Sequence, residues 1–396
     1  MKFKNKSRDD VLSIFIVAYI IMSAFNGMAK ALFNEGATIL KLIRLMIYAV
    51  LALLLLWSLM KMKIKQLCVF CGVELLMFFP YLFSIFIGVS NGVLLSWMFT
   101  SITVCAPMLV FAIMIEDTEI LYRRLINISF IVLILLTVQS IAGKSNEFYD
   151  MSFSYSILFI CMLHLICMLH LNNFVRTKKP LYCIAFLAEL VLMIIYGSRG
   201  GLVCFLVFVL FLIVYGNIKT IKKVMLIFAI ALISAMLVLL VMQYKDAIYS
   251  YLLSHGLSSR TLNLIFNDEF FSHDSGRSLI WKETLRLIDQ KPIFGWGISG
   301  ASNLLGKDAV YPHQVFLDFM LTFGIPFGVI LGVLFIIIPF YSVIKAKNSK
   351  NKDIIIILIS LSIVMLMFSG TVFTNYYYSL LLGLCLKELK ERKNGI

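Results

Sequence analysis

Three polar side chains sit where their apolar surroundings give them little ordinary reason to be. Arg199 lies in Tyr196-Gly197-Ser198-Arg199-Gly200-Gly201-Leu202, a short break between two apolar runs. Glycines at 197, 200 and 201 would let the backbone turn sharply, and a helix beginning at Gly200 or Gly201 would leave its first N–H groups without partners, a ready anion site. A cation at the positive end of a helix dipole is misplaced for stability, so an anion shared with those amides accounts for Arg199, and a phosphate fits best. Arg277 and Trp281, four apart, would share one helix face, and His313 follows Pro312 at the mouth of another apolar run. Two guanidiniums match two phosphates, binding pyrophosphate oxygens bidentately and neutralising the charge that develops as an ester bond to them breaks. An imidazole is the natural group to take a proton from a hydroxyl near neutral pH, and neighbouring arginines would hold it neutral. The bland reading is a snorkelling arginine and an interface histidine, so the elements that carry these residues decide between the two.

Those elements are membrane spans. The chain has 396 residues, 61% of them apolar, and a mean hydropathy of +0.96, well above the apolar share of a soluble domain. At about 20 residues per crossing, the sequence predicts 11 or 12 transmembrane helices, near 11–29, 38–60, 67–88, 94–115, 125–142, 151–171, 181–197, 201–216, 224–243, 313–340, 354–373 and 375–386, the last continuing as a helix beyond the bilayer. The expected fold class is all-α, a polytopic membrane helix bundle. Its expected divisions are residues 1–243 (nine helices), an extracytoplasmic loop over 244–312, and 313–396 (the last helices and a tail).

The net charge of +14 does not indicate nucleic acid, because the basic residues fall in short clusters between spans rather than on one soluble face. Most of the 35 lie in alternate connections (Lys61 to Lys65, Arg123 and Arg124, Arg176 to Lys179, Lys219 to Lys223, Lys345 to Lys352) and at the two termini. The positive-inside rule then places both termini in the cytoplasm and sets Arg199 and the segment Tyr244 to Pro312 on the outer side. The basic N-terminus followed by Val11 to Ala29 has the form of a signal peptide, but a retained first span fits this alternation. The eight cysteines fall almost entirely in spans, and Cys68-x-x-Cys71 has no second pair to complete a zinc site, so they read as packing residues.

Within the long outer segment, Asp274 or Ser275 would cap a short amphipathic helix from Arg277 to Asp289 stopped by Pro292. Phe294-Gly295-Trp296-Gly297 reads as a turn allowing close backbone approach. The chemistry that Arg199, Arg277 and His313 suit together on this side is glycosyl transfer from a lipid pyrophosphate to a sugar hydroxyl.

Ser198-Arg199-Gly200-Gly201, Arg277-x-x-x-Trp281, Pro292, Gly295-x-Gly297, His313-Gln314 and Gly324-Ile325-Pro326 resemble, in order and spacing, the O-antigen ligase and polymerase superfamily. These are membrane enzymes acting on polyprenyl-pyrophosphate-linked glycans, and the resemblance covers about residues 190–330. It implies a GT-C-like bundle and a metal-independent, inverting transfer without cofactor. Arg199 and Arg277 would bind the donor pyrophosphate and His313 would activate the acceptor hydroxyl. Ser198, Gly200, Gly201, Trp281, Gln314, Asp318, Arg260 and Arg286 would line the substrates, Arg260 and Arg286 competing with Arg277 for its role. The implied partners are the polyprenyl-pyrophosphate-linked donor, a lipid-linked acceptor and membrane lipid, with a flippase and a chain-length regulator beside them. The implied enzyme is a polysaccharide polymerase, with a ligase using the same donor as the alternative. A flippase is disfavoured because the polar groups gather at one face and no repeated halves are evident.

Other polar groups have structural readings. Asp268, Glu269, His273 and Asp274 form an acidic loop cluster that solvation explains better than a divalent cation. Glu74, Glu189, Lys41 and Arg44 are expected to face the bundle interior in pairs. His164 and His170 read as packing or capping residues, and Tyr376, Tyr377 and Tyr378 as an aromatic belt.

Overall fold

The computed structural model describes residues 2–33, 37–142, 151–169, 179–216, 276–305, 309–346 and 349–393, with 220–225 and isolated positions from there to Asp274. The described residues are helical with short connections, as a chain must be where no water can satisfy backbone groups. The helices are α1 Lys2–Leu32, α2 Thr38–Met60, α3 Ile64–Phe86, α4 Gly92–Met114, α5 Thr118–Ala142, α6 Met151–Leu169, α7 Lys179–Tyr196 and α8 Arg199–Tyr215. Further along the chain come α9 Arg277–Gln290, α10 Val315–Lys345, α11 Ser349–Ile359 and α12 Tyr376–Lys393.

Among the described residues seven helices are long and apolar enough to cross a membrane, and Phe153–Leu169 and Arg199–Tyr215 are shorter apolar helices. Nine of the expected spans meet one of these helices; 354–373 and 375–386 fall on α11 and α12, which are not among them, and there remains 224–243. Most of that span lies outside the described residues, although Val224, Met225, Ile227 and Phe228 are helical. The final span does run on past its apolar part, to Lys393. A wider i→i+5 turn interrupts α4 at Ser101–Cys105, and another continues α11 at Ser360–Val364.

The chain forms two compact units. The first comprises residues 1–16, 50–122 and 274–396. In it α4 packs along α12 and α3, and α12 also meets α10 and α11. Phe111 of α4 sits at the centre, edge-on to Phe15 at 5.1 Å and stacked near Phe70 at 6.2 Å. One end of this unit is tied by charge. Asp9, almost fully buried, accepts from the amides of Glu116 (3.0 Å) and Asp117 (2.8 Å), while Arg8 reaches Glu116 at 2.9 Å. Lys387 Nζ donates to the Glu116 carbonyl at 3.0 Å, so the start of α1, the end of α4 and the end of α12 converge there. The 23 residues of α4 span about 34 Å, which separates this end from the polar groups around Asn91 and Trp97.

The second unit comprises residues 17–49 and 123–273 and is built on the pairing of α6 with α7, with α8 against both. Glu189 is buried as expected, and its partner is His164, which is therefore more than a packing residue. Arg44 donates to Asn26 at 3.3 Å, whereas Lys41 is exposed, contrary to expectation, since its stem can lie along the apolar face while the ammonium reaches polar surroundings. Five cysteines are buried, but Cys68 and Cys71 lie on the exposed face of α3, so they do not pack in the bundle. Tyr377 is buried against Tyr376 (4.2 Å), and Tyr378 packs on Phe335 (4.7 Å), so this trio serves helix packing rather than an aromatic belt.

Candidate active site

The loop helix α9 forms because its apolar residues recur at helical spacing: Ile280, Leu287 and Ile288 are buried against Ala301, Leu305, Ala309 and Leu321, with Thr284 also buried. Its start is capped from a distance. Gly276 occupies the cap position in the left-handed region, and Asp274, two residues earlier, accepts from the amides of Gly276 (2.7 Å) and Ser278 (3.2 Å). Asp274 is thus committed to the helix, while Asp268, Glu269, His273 and Ser275 lie outside the described residues.

Arg277 opens α9 and is half-buried. Trp281, one turn on, donates from Nε1 to the carbonyl of Pro312 at 3.0 Å, which fixes the helix to the residue preceding His313. The indole is therefore a strut between loop and span. Arg286 lies nine positions from Arg277, half a revolution round the helix, where it forms an exposed bidentate pair with Glu283 at 3.0 and 3.1 Å. Of these two arginines, it is Arg277 that bears on the histidine; Arg260 lies outside the described residues.

His313 is half-buried and sits at φ +58°, a left-handed conformation uncommon for a residue with a side chain. Burial first, and then the positive charge of Arg277, bring its imidazole down from 6.5 to about 4, so the ring is neutral at neutral pH. The Tyr311 ring lies 4.4 Å away, centroid to centroid. Tyr311 faces Trp97 of α4 at 6.3 Å, and Trp97 stacks near Phe373 at 6.2 Å. Burial pushes the Tyr311 hydroxyl up as well. The Gln314 side chain accepts from the Leu317 amide at 2.7 Å and caps α10. Asp318, 4% exposed, accepts from Thr371 Oγ1 at 2.6 Å and so joins α10 to the segment before α12.

The glycines of the loop motif meet those of α10. Trp296 and Gly297 donate to the carbonyls of Leu321 (2.8 Å) and Thr322 (3.0 Å), and Ile325 donates back to Pro292 (2.7 Å). This exchange requires α10 to break at Gly324, which adopts φ +79°, and a Cβ there would stand 2.1 Å from the Ile293 carbonyl oxygen. Gly295, at φ +68°, faces it, and a Cβ there would stand 2.5 Å from the Thr322 carbonyl oxygen. Asn91 seals the far side of the turn, donating to the Ser299 carbonyl at 3.1 Å.

The arginine break belongs to the second unit. The helix begins one residue earlier than expected, with Ser198 as N-cap and Arg199 as first helical residue, because the Ser198 hydroxyl takes the Gly201 amide at 3.2 Å. The Ser198 amide in turn donates to Ser154 Oγ at 2.8 Å. None of the three glycines has positive φ; Gly200 allows a close approach, its Cβ position lying 3.2 Å from the Tyr155 hydroxyl. Arg199 is half-buried at the head of α8.

The structure therefore joins Arg277, Trp281, His313, Gln314 and Asp318 within one unit, and Ser198, Arg199, Gly200 and Gly201 within the other. Tyr311, Trp97, Thr371 and Ser154 escaped the sequence reading. Tyr311 could have been found, two residues before His313; Trp97 and Thr371 are distant in sequence and carry no local signal.

Residues 184–332, from the middle of α7 through the first half of α10, match the family described as O-Antigen ligase. A ComP-specific O-oligosaccharyltransferase of Acinetobacter baylyi is 32% identical over 108 residues, 22% of this chain. That match spans 20% of the relative's own length. The superfamily resemblance carried by the arginine, histidine and glycine motifs is thus met by both comparisons.

Proposed function

We propose, from this kinship with the O-antigen ligases, that the protein is a membrane glycosyltransferase moving a glycan from a polyprenyl pyrophosphate carrier to an acceptor hydroxyl. The observation that carries the reading is a neutral, half-buried imidazole at His313 beside the Arg277 guanidinium, with the two elements locked by Trp281. The acceptor oxygen attacks the anomeric carbon of the donor sugar and loses its proton to His313. The bond from that carbon to the pyrophosphate oxygen breaks on the opposite face, inverting the centre, and the lipid pyrophosphate leaves. In the proposal Arg277 and Arg199, the latter with the first amides of α8, take the charge of the leaving group, so no metal is required. Both termini lie in the cytoplasm and the site faces outward from a bacterial cytoplasmic membrane, with residues 244–312 as its cap.

The acceptor separates two readings. A polymerase uses the next lipid-linked repeat unit; a ligase or oligosaccharyltransferase uses a terminal acceptor, and the descriptions of the matched family and relative favour the second. Deleting the gene and running the surface glycan on a gel distinguishes them. Loss of a polymerase leaves single repeat units on the surface, whereas loss of a ligase leaves none while lipid-linked polymer accumulates. For the chemistry, purified protein with a lipid-linked glycan and an acceptor, a chelator present and nucleotide sugar absent, should transfer glycan. Arg199→Ala, Arg277→Ala and His313→Ala should each lower the rate by about 100-fold or more while the protein stays folded. Full activity in Arg199→Ala and His313→Ala would overturn the proposal.

A further inference from the structure

A second polar constellation lies in the other unit, among spans. Ser129 of α5, His164 of α6 and Glu189 of α7 are each 0% exposed and form one chain: Ser129 Oγ is 2.7 Å from His164 Nε2, and His164 Nδ1 is 2.7 Å from Glu189 Oε1. Three buried polar groups from three helices, all within hydrogen-bond distance, make a built site rather than incidental contacts.

The direction of each bond can be read from one end. Ser129 Oγ lies 2.7 Å from the Ile126 carbonyl oxygen, which can only accept, so the serine proton points there. Ser129 then accepts from His164, which places a proton on Nε2. Two states remain: an imidazolium paired with a carboxylate, or a neutral imidazole whose Nδ1 accepts from a carboxylic acid. The other glutamate oxygen decides between them. Glu189 Oε2 is buried without a hydrogen-bond partner among the described residues. As half of a carboxylate it would hold negative charge in an apolar site with nothing to bond it; as the carbonyl oxygen of an acid it forgoes only a weak bond. The neighbouring groups do not reverse this. Phe130 and Tyr182 flank the imidazole at 4.8 and 5.6 Å, Cys161 faces Glu189, and Cys167 faces Tyr182; none supplies a cation to the carboxyl.

We propose that Ser129, His164 and Glu189 form a one-proton relay in which Glu189 is a neutral carboxylic acid donating to His164 Nδ1. The relay runs from Glu189 through the imidazole and the serine to the Ile126 carbonyl and carries no net charge. Full transfer of the glutamate proton to Nδ1 would create the ion pair, which the bare Oε2 disfavours. The relay also clamps α7 to α5 and α6, seven residues ahead of the α7 terminus at Tyr196 and the Ser198–Arg199 break.

Replacing Glu189 by glutamine tests the proton, since an amide, like the neutral acid, offers a donor for Nδ1 and a carbonyl oxygen, its second N–H being the one addition. Full-length protein in detergent, labelled with 15N-histidine, is compared as wild type, Glu189→Gln and Glu189→Leu. The wild-type His164 signal should be that of a neutral ring protonated at Nε2, unchanged in Glu189→Gln, and the two should melt at the same temperature. Glu189→Leu, which removes the donor to Nδ1, should melt lower and shift the His164 signal. Infrared spectra should show a protonated-carboxyl band in wild type that Glu189→Gln removes. An imidazolium signal from His164 in wild type would overturn the proposal, even if Glu189→Gln failed to fold. So would a Glu189→Gln protein that melts as low as Glu189→Leu. None of these readouts depends on glycan transfer.

Discussion

If Arg277 helps to keep the His313 ring unprotonated, neutralising that arginine should move the titration of the histidine by a bounded amount. The imidazole is displaced from 6.5 to about 4, roughly 2.5 in all, and burial is the larger cause. Arg277 therefore accounts for less than half, so Arg277→Gln should raise the His313 midpoint by about 1 or less and leave it below 6.5. At pH 5.5 the wild-type ring would be about 3% protonated, against about 90% for an unperturbed histidine. The sign for catalysis follows: a base is competent only when unprotonated, so kcat/KM should hold as pH falls through 6 and decline near 4. Binding the anionic donor adds negative charge near the ring and favours its protonation, so the acid limb of kcat should lie above that of kcat/KM. For stability, the unfolded chain takes up the proton first, and the protein loses stability as pH falls from about 6.5 toward 4. The assay is an NMR titration of 15N-histidine protein, which has five histidines, with His313→Gln supplying the assignment. A wild-type midpoint at or above 6.5 would refute the electrostatic reasoning. So would an Arg277→Gln protein whose midpoint does not move.

Four further outcomes follow from the geometry around this pair. Gly324→Ala places a Cβ 2.1 Å from the Ile293 carbonyl oxygen in a positive-φ conformation, and should cost on the order of 1–3 kcal/mol or more, read as a lowered unfolding temperature in detergent. Trp281→Phe keeps the ring and deletes the bond to Pro312, costing about 1 kcal/mol; transfer should fall without being abolished, and an unchanged rate would remove the indole's role as a strut. Thr371→Val strips the donor from the buried Asp318 carboxylate and should destabilise by about 1–3 kcal/mol, measured by the same melt. Arg286→Ala, on the exposed face of α9 with Glu283, should leave both the rate and the melting temperature as in wild type; a large loss of transfer would put the donor on the wrong side of this helix.

The spans were legible because long apolar runs admit few alternatives, and the loop helix because Arg277 to Asp289 carries the helical apolar period up to Pro292. That Arg277 would bear on the protonation of His313 was expected from type and order, and the direction agrees, burial being the larger cause. Less legible was anything that depends on which face a residue presents. Lys41, Cys68 and Cys71 point outward although their spans are apolar all round, and hydropathy has no period there to read. Asp274 caps the loop helix as one of the two expected residues, whereas the capping role of Gln314 was not foreseen, since a cap and a ligand-binding residue use the same side-chain oxygens. The Arg199 glycines were read as letting the backbone turn sharply, but Gly200 answers to Tyr155, more than forty residues earlier, a contact that sequence proximity does not reveal. The Ser129–His164–Glu189 chain was hidden for the same reason, its members lying on three different helices.

The break at Gly324 divides the ownership of α10. Residues 315–323 are bonded through Leu321 and Thr322 to the backbone of the loop turn, while the stretch beyond Ile325 continues as an apolar span. His313, at the head of the short segment, is therefore held by the loop turn as well as by the bundle, to which Asp318 and Phe319 tie that segment through Thr371 and Phe335. Trp296 bonds α9 at Leu287 and α10 at Leu321, so a substitution that disturbs the turn at 292–297 reaches the elements carrying Arg277 and His313 at once.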